Sequence, residues 1–145
     1  MSDDLATHVY YTEPDSCVVR RLETVTGKVR TVLGRGTCPA ESSAFSSPAI
    51  ATSADIAGPK GVVGVRDLLF VAASDSHQVL MVNLTTGLAF LFAGTGVQGY
   101  SGDGGSATAA TLRFPTFLSI SGSGTQLIVS DTYNRLVRQV AFTLG

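Results

Sequence analysis

The sequence repeats itself, and this internal repetition restricts the fold more than any other feature. Tyr10 to Gly36 aligns with Phe70 to Gly96 at an offset of 60 residues without a gap. Leu69 to Val82 aligns with Leu127 to Val140 at an offset of 58, and the intervening loop ATSADIAGP aligns with ATAATLRFP at an offset of 56. Because these three alignments keep the same order of sequence features, they indicate a chain built from tandem structural units.

Each unit has the pattern of short antiparallel β-strands, because branched and apolar runs alternate with Thr-Gly or Gly-Ser turn signals. The predicted strands include Val18–Leu22, Val29–Leu33, Val79–Leu84, Leu88–Ala93, Phe117–Ile120, Leu127–Val129 and Leu136–Phe142. We expect Val137 in the buried core of the third unit. Pro59 and Pro115 are expected just before strands, a position that tolerates a missing N–H. The Ala/Thr segments Ala51–Ala54 and Ala107–Leu112 fit short helical turns.

A loop and the hairpin after it carry a family likeness. The loop from Ala93 to Pro115, AGTGVQGYSGDGGSATAATLRFP, and the hairpin from Leu127 to Val140, LIVSDTYNRLVRQV, resemble those of NHL-repeat β-propellers. The likeness covers the chain from about Val9 to its end. It implies an all-β fold of four-stranded antiparallel propeller blades, about three per chain, two of them incomplete. The family's hairpin aspartate is Asp131 here, and the two upstream units lack it.

The repeat offsets divide one domain into three units. We predict a single domain over 1–145, with unit 1 at about 8–36, unit 2 at about 59–96, unit 3 at about 115–145, and long loops at 37–58 and 97–114. Unit 1 begins at its second strand and unit 3 stops before its fourth. Because family propellers close with five or six blades or more, we expect either a homodimer of two half-rings or the missing blades of a longer chain.

Composition restricts the partners. Hydrophobic residues make up 44% of the chain and charged residues 14%, a balance that suits apolar faces covered by a partner. The net charge of -1 and the absence of a basic stripe argue against nucleic acid. No run of 18 apolar residues exists, so no membrane span is predicted. The 21-residue spacing of Cys17 and Cys38 favours two unpaired thiols, with a disulfide as the alternative.

One face of the units is the candidate binding surface. The turns Pro14–Cys17, Ser74–His77 and Thr132–Arg135 are expected on the same face as the long loops around Ala44 and Gly99–Gly105. The candidate ligand-binding residues on this face are His77, Tyr100, Asp103, Tyr133, Asn134 and Arg135. We expect Asp131 to cap a turn by bonding nearby backbone N–H groups, and Asp103 to be a turn residue.

The sequence offers no catalytic set. No GxxxxGKS/T or GxSxG motif is present, and we predict no catalytic residue, no metal-ligand set and no cofactor. The favoured function is therefore a non-catalytic β-propeller scaffold that binds a protein or peptide through its loop face. One alternative comes from the resemblance, since the family's lyase branch holds a metal with histidines: a metal-dependent lyase-like enzyme that uses His8 and His77 and is completed by a partner chain. A second alternative is an RNA-binding propeller.

Overall fold

Three antiparallel β-sheets contain all of the described strands. The structure is a computed structural model that describes residues 7–40 and 43–144. The strands are β1 (His8–Glu13), β2 (Val18–Glu23), β3 (Val29–Leu33), β4 (Ala49–Ile50), β5 (Pro59–Val65), β6 (Leu68–Ala73), β7 (Gln78–Asn83), β8 (Leu88–Ala93), β9 (Pro115–Ile120), β10 (Gln126–Asp131) and β11 (Leu136–Ala141). The prediction of an all-β chain with antiparallel strands is confirmed.

Short 3₁₀ turns connect several of these strands. They lie at Pro14–Ser16, Ala51–Ser53, Ser74–Ser76, Ala107–Ala109 and Thr132–Asn134. Two of them confirm the helical turns predicted from the Ala/Thr segments. Within the described residues, no helical segment is long and apolar enough to cross a membrane. Residues 1–6, 41–42 and 145 lie outside the described residues, and with them both ends of the predicted domain and a part of the predicted loop 37–58.

Each sheet is built mainly from strands that are neighbours in the sequence. The first sheet has the order β1-β2-β3, the central sheet β4-β8-β7-β6-β5, and the third sheet β11-β10-β9. Every strand named from the sequence is present, with ends that shift by one or two residues. Pro59 and Pro115 are the first residues of β5 and β9, instead of lying just before these strands.

The central sheet is packed on both faces. One face, with Leu69 and Leu80, packs on the first sheet in a cluster that includes Val19. The opposite face, with Phe70, packs on the third sheet in a cluster that includes Leu127. Strand β6, LLFVAA, is therefore buried along its whole length. A strand covered on both faces reads as a continuous apolar run instead of an alternating one.

The hairpin turns have the same backbone geometry at positions that the sequence offsets relate to one another. Cys17, His77 and Arg135 occupy corresponding positions, and each has a left-handed backbone with φ of 51°, 56° and 57°. Each donates its N–H to the carbonyl oxygen three residues earlier, at 3.0 to 3.2 Å. Non-glycine residues adopt this conformation at a cost of roughly 1–2 kcal/mol. Its recurrence indicates that the same tight turn is enforced by the strands on either side.

The favoured interpretation of the two cysteines is wrong. Cys17 and Cys38 form a disulfide, and their Cα atoms are 5.2 Å apart. The loop after β3 folds back onto the turn between β1 and β2, a long-range contact that sequence spacing does not reveal. The bond fixes the start of the long loop that leads to the central sheet.

Val137 is exposed, and the expectation that it lies in the core is also wrong. It is 72% exposed on the outer face of the third sheet. Side chains alternate along β11, and Arg138 and Val140 point towards the central sheet. Val137 therefore points away from it. Whether this face is covered depends on a neighbour that the strand pattern alone does not specify.

Replacing Gly94 with Ala should destabilise the chain more than replacing Gly87 with Ala. Both glycines have positive φ, +91° and +72°, so both variants share a conformational cost of roughly 1–2 kcal/mol. A Cβ on Gly94 would also overlap the His77 carbonyl oxygen, whereas nothing lies within 4 Å of one on Gly87. We expect roughly 1–3 kcal/mol of additional loss for Gly94→Ala in urea unfolding. Equal losses would contradict the close backbone approach.

Candidate functional site

The Gly-rich loop, residues 94–113, is attached to the third sheet by Arg138. This guanidinium is only 9% exposed. It donates to the carbonyl oxygens of Thr111 at 2.7 Å and Ser101 at 2.9 Å. It also contacts Oδ1 of Asp103 through Nη2 at 2.6 Å and Nε at 3.1 Å. One side chain therefore holds the loop at Thr111, Ser101 and Asp103. Hydrogen bonds to a charged group such as this guanidinium are stronger than hydrogen bonds between neutral groups.

Asp131 provides the second attachment. Its carboxylate is fully buried and accepts the backbone N–H of Arg113 at 2.7 Å. Its other oxygen accepts from Nδ2 of Asn134 at 2.8 Å and lies 3.5 Å from Nη1 of Arg138. Asn134 also donates to the carbonyl oxygen of Gly99 at 2.8 Å. We call Asp131, Asn134 and Arg138 the polar junction.

The polar junction corrects two predictions about the aspartates. Asp131 does not cap its own turn, because the backbone N–H that it accepts belongs to Arg113, 18 residues away. Asp103 is more than a turn residue, because its carboxylate pairs with Arg138 across 35 residues of sequence. Both partners come from elsewhere in the chain, and local turn chemistry does not predict them.

Tyr100 and Tyr133 lie on the same exposed region. Their exposed fractions are 63% and 60%. The bond from Asn134 to Gly99 brings the loop segment that carries Tyr100 to the turn that carries Tyr133. The Tyr100 ring centroid lies 5.9 Å from the Arg138 guanidinium carbon, and the Tyr133 ring packs at 4.7 Å on Phe114. Each tyrosine ring therefore lies near another side chain and remains exposed to solvent.

His77 is placed differently from the other predicted site residues, because its side chain is buried. Its Nδ1 accepts the backbone N–H of Phe114 at 3.1 Å, and the two rings meet edge to face at 4.5 Å. Burial lowers the pKa of His77 from its usual value of about 6.5, against an opposing effect of Asp75. A neutral imidazole keeps Nδ1 as an acceptor. His77 therefore joins the central sheet to the loop before β9.

The structure brings Tyr100, Asp103, Tyr133 and Asn134 together at the Gly-rich loop. Arg135 is exposed next to them, at the left-handed end of the Thr132–Asn134 turn. Within residues 7–40 and 43–144, no group of three or more His, Cys, Asp or Glu side chains is arranged to hold a metal ion.

Arg138 is not among the residues that the sequence predicts for the site, although the repeat carries a signal for it. Glu13 and Arg20 stand at the positions of Asp131 and Arg138 in the first unit, with the same spacing of seven residues. They form an ion pair at 3.3 Å across β1 and β2. A carboxylate and an arginine on facing strands of two units indicate a shared structural role.

No protein-family model matches the sequence, and no curated protein is found to be similar to it. The resemblance to NHL repeats therefore stays a prediction. Solved structures do match. An auxiliary nutrient binding protein from Bacteroides ovatus is 18% identical, with a TM-score of 0.72 over 94% of this chain and 35% of that one.

Two further matches come from Bacteroides thetaiotaomicron. An auxiliary nutrient binding protein is 16% identical, with a TM-score of 0.72 over 93% of this chain and 35% of its own. A structural genomics protein of unknown function is 15% identical, with a TM-score of 0.75 over 96% of this chain and 33% of its own. At these identities the likeness shows the fold alone. The chain spans about a third of the length of these structures.

Replacing Arg138 with Gln should destabilise the chain by about 3 kcal/mol, because the buried Asp131 carboxylate loses its cationic partner. Arg20→Gln is the matched control at the corresponding repeat position. The Arg20 and Glu13 side chains are 33% and 35% exposed, so its loss should be about 1 kcal/mol or less. Urea unfolding measures both free energies. Similar losses would show that the polar junction adds little to stability.

Proposed function

We propose that the chain is a non-catalytic β-propeller scaffold that binds a protein or peptide through its loop face. In this proposal the three sheets are propeller blades of the NHL type, and the first and third are incomplete. We define the loop face as residues 99–105 together with Thr132–Arg135. Two of the similar solved structures are described as auxiliary nutrient binding proteins and another as a putative phosphatase, so the choice of binding over catalysis rests on the residues of the site and not on the fold.

The observation that carries the proposal is the exposure of Tyr100, on the loop that the polar junction holds in place, and of Tyr133 on the adjoining turn. A tyrosine presents an apolar ring and a hydroxyl, and it loses little conformational entropy when it is covered. Aromatic residues are enriched in the cores of protein interfaces. Because the loop is held before any ligand arrives, less ordering is required on binding.

Asp103 adds a polar group beside the tyrosines. Its side chain is 68% exposed, and both Arg138 nitrogens contact the same oxygen, Oδ1. Oδ2 therefore remains to accept a hydrogen bond. A peptide supplies N–H donors for it and side chains for the aromatic surface. These two features together favour a peptide segment over a purely apolar ligand.

The described contacts favour the two alternative functions, RNA binding and lyase-like catalysis, to different degrees. Exposed tyrosine rings also stack on unpaired bases, so single-stranded RNA is the second candidate. The lyase-like alternative needs histidine ligands. His77 uses Nδ1 to accept the Phe114 N–H, which leaves only Nε2 for a metal.

A phage-displayed library of random peptides, selected on the immobilised chain, tests the loop face. We expect enriched peptides that bind the chain saturably, and at least about tenfold more weakly when Tyr100→Ser and Tyr133→Ser are combined. Val25→Ser is the control, because Val25 is 82% exposed in the turn between β2 and β3. Peptides that bind all three chains equally would count against the proposal. Salt-dependent binding of a single-stranded RNA oligonucleotide, lost in the double variant, would favour the RNA alternative.

We also propose that a second copy of the chain covers the two outer sheet faces. Val9 and Val29 lie side by side with Leu22 on the outer face of the first sheet, and both valines are 49% exposed. Phe117 and Val137 are 74% and 72% exposed on the outer face of the third sheet. Exposed apolar faces of this kind favour association.

The repeat explains why these two faces suit each other. Val9 corresponds to Leu69, which packs on the first sheet, and Val137 corresponds to Val79, which packs towards the third sheet. The two outer faces are therefore the counterparts of faces that already pack on each other inside the chain. Head-to-tail contact between two copies would repeat this packing at both junctions.

Val137→Asp tests self-association. Each chain has a mass of 15.0 kDa, so light scattering should give about 30 kDa for the unchanged chain and about 15 kDa for the variant. The free energy of unfolding of the monomer should change little, because Val137 is exposed. Val25→Asp is the matched control and should remain dimeric. A mass of 15 kDa for the unchanged chain would instead favour the missing blades of a longer chain.

A further inference from the structure

We propose that the loop face responds to pH through His77, whose protonation releases the loop segment that supports Tyr133. The segment is 113–114, directly before β9. The consequence for peptide binding rests on the proposed function of the loop face, whereas the change in structure does not. A buried imidazole suits this role because protonation turns its hydrogen-bond acceptor into a donor.

Two side chains from different sheets hold this segment by consecutive backbone amides. Asp131, at the end of β10, accepts the Arg113 N–H at 2.7 Å. His77, which directly precedes β7, accepts the Phe114 N–H through Nδ1 at 3.1 Å. The segment is therefore held from the third sheet by a carboxylate and from the central sheet by an imidazole.

Phe114 has a backbone conformation that its contacts must maintain. Its φ is +48°, in the left-handed region that bulky residues rarely adopt. Such residues keep this conformation where the surrounding structure fixes them. The Phe114 ring meets the His77 imidazole edge to face at 4.5 Å, beside the hydrogen bond to Nδ1. Loss of that hydrogen bond therefore removes a contact that opposes relaxation of the segment.

The same segment contacts Tyr133 in two ways. The Tyr133 ring packs on the Phe114 ring with 4.7 Å between the centroids. The Tyr133 backbone N–H donates to the carbonyl oxygen of Arg113 at 3.1 Å. A shift of the segment therefore moves both the backbone and the exposed ring of a residue on which the loop face depends.

The switch is a single proton on the imidazole of His77. In the neutral ring that accepts the Phe114 N–H at Nδ1, the proton is on Nε2. When the ring is protonated, both nitrogens carry an N–H. Two donors then face each other, and the Phe114 amide loses its acceptor, which is costly for a buried group.

The surroundings of His77 determine the direction of the pH response. Burial lowers the pKa of His77 from its usual value of 6.5. Asp75 in the same turn opposes this effect, Arg113 adds to it, and Asp131 opposes it. The loop 94–99, which meets the His77 carbonyl oxygen, contains no titratable side chain. Because the pKa is lower in the folded chain, the stabilising bond is fully present above pH 6.5 and is lost as the pH falls through the folded pKa.

An NMR titration of the isotope-labelled chain from about pH 7.5 to pH 4.5 tests the change in structure. We expect the neutral His77 ring to be protonated at Nε2 at pH 7.5. The Phe114 amide and the Tyr133 ring signals should then shift with the same apparent pKa as the His77 ring. The Ser121 amide is the control, because its partner is the carbonyl oxygen of Gln126 at 2.9 Å, and it should not follow this titration.

His77→Asn is the matched variant. Asparagine places an oxygen on Cγ where histidine has Nδ1, and it tolerates the left-handed backbone at position 77, where φ is 56°. It accepts a hydrogen bond without titrating. We expect the Phe114 amide to be independent of pH in this variant, and its urea midpoint to fall less on acidification than that of the unchanged chain. His8→Asn, at the other histidine of the chain, should keep the full response.

A peptide enriched in the loop-face selection, chosen without titratable side chains and labelled with tetramethylrhodamine, tests the consequence for binding. We expect the unchanged chain and His8→Asn to bind it about tenfold more weakly at pH 4.5 than at pH 7.5. His77→Asn should bind it equally at both pH values. Aspartates ordinarily titrate near pH 3.9, and their effect is common to all three chains, so it cancels in this comparison.

Two results would overturn the proposal. The first is a Phe114 amide or a Tyr133 ring whose signals do not follow the titration of His77. The second is a pH response in His77→Asn that equals that of the unchanged chain. If the signals follow His77 but the selection enriches no peptide, the loop-face function fails and the pH response of the segment stands.

Discussion

Burial of the central sheet on both faces is the constraint on which the rest of the structure depends. The first and third sheets exist as packed elements because each covers one face of it, through clusters around Leu69 and Phe70. Each covering sheet then has one further face of its own, and these faces carry Val9 and Val137 in exposed positions. The low charge of the chain fits this stacking, since the central sheet is apolar on both faces.

The long loops are fixed by a second kind of interaction, which differs between units. In the third unit a buried aspartate and Arg138 bind the Gly-rich loop through its backbone. In the central unit the corresponding positions hold Ala73 and Leu80, both fully buried. There the side-chain oxygen of Gln78 accepts the N–H of Phe45 at 2.7 Å. Apolar residues commonly replace a buried ion pair without loss of stability. The third unit differs in that it keeps a charged pair, Asp131 and Arg138, at these positions, where it holds the Gly-rich loop.

This division of roles is the basis of the binding function that we propose for the third unit. The polar junction uses its charged groups internally and leaves aromatic rings at the surface, an arrangement suited to recognition.

The sequence by itself determined the all-β fold, the positions of the strands and the tight turns. These features depend on local chemistry: alternating or continuous apolar runs, Thr-Gly turns, and prolines such as Pro59 at strand starts. The repeat offsets also located Cys17, His77 and Arg135 at corresponding positions, which the structure gives the same left-handed backbone. Tyr100 and Tyr133 were predicted at the candidate site from the expected alternation of antiparallel strands, and they are exposed there.

Only the tertiary structure decided which side chains these elements bury and which they join. The disulfide from Cys17, the burial of His77 and the exposure of Val137 each depend on contacts between distant segments or on whether a neighbouring sheet is present. The role of Arg138 depends on a loop that returns to the sheet across 27 to 37 residues of sequence. The pattern of a strand shows which residues lie on the same face. It does not show which face is covered or by what, because that depends on packing between sheets.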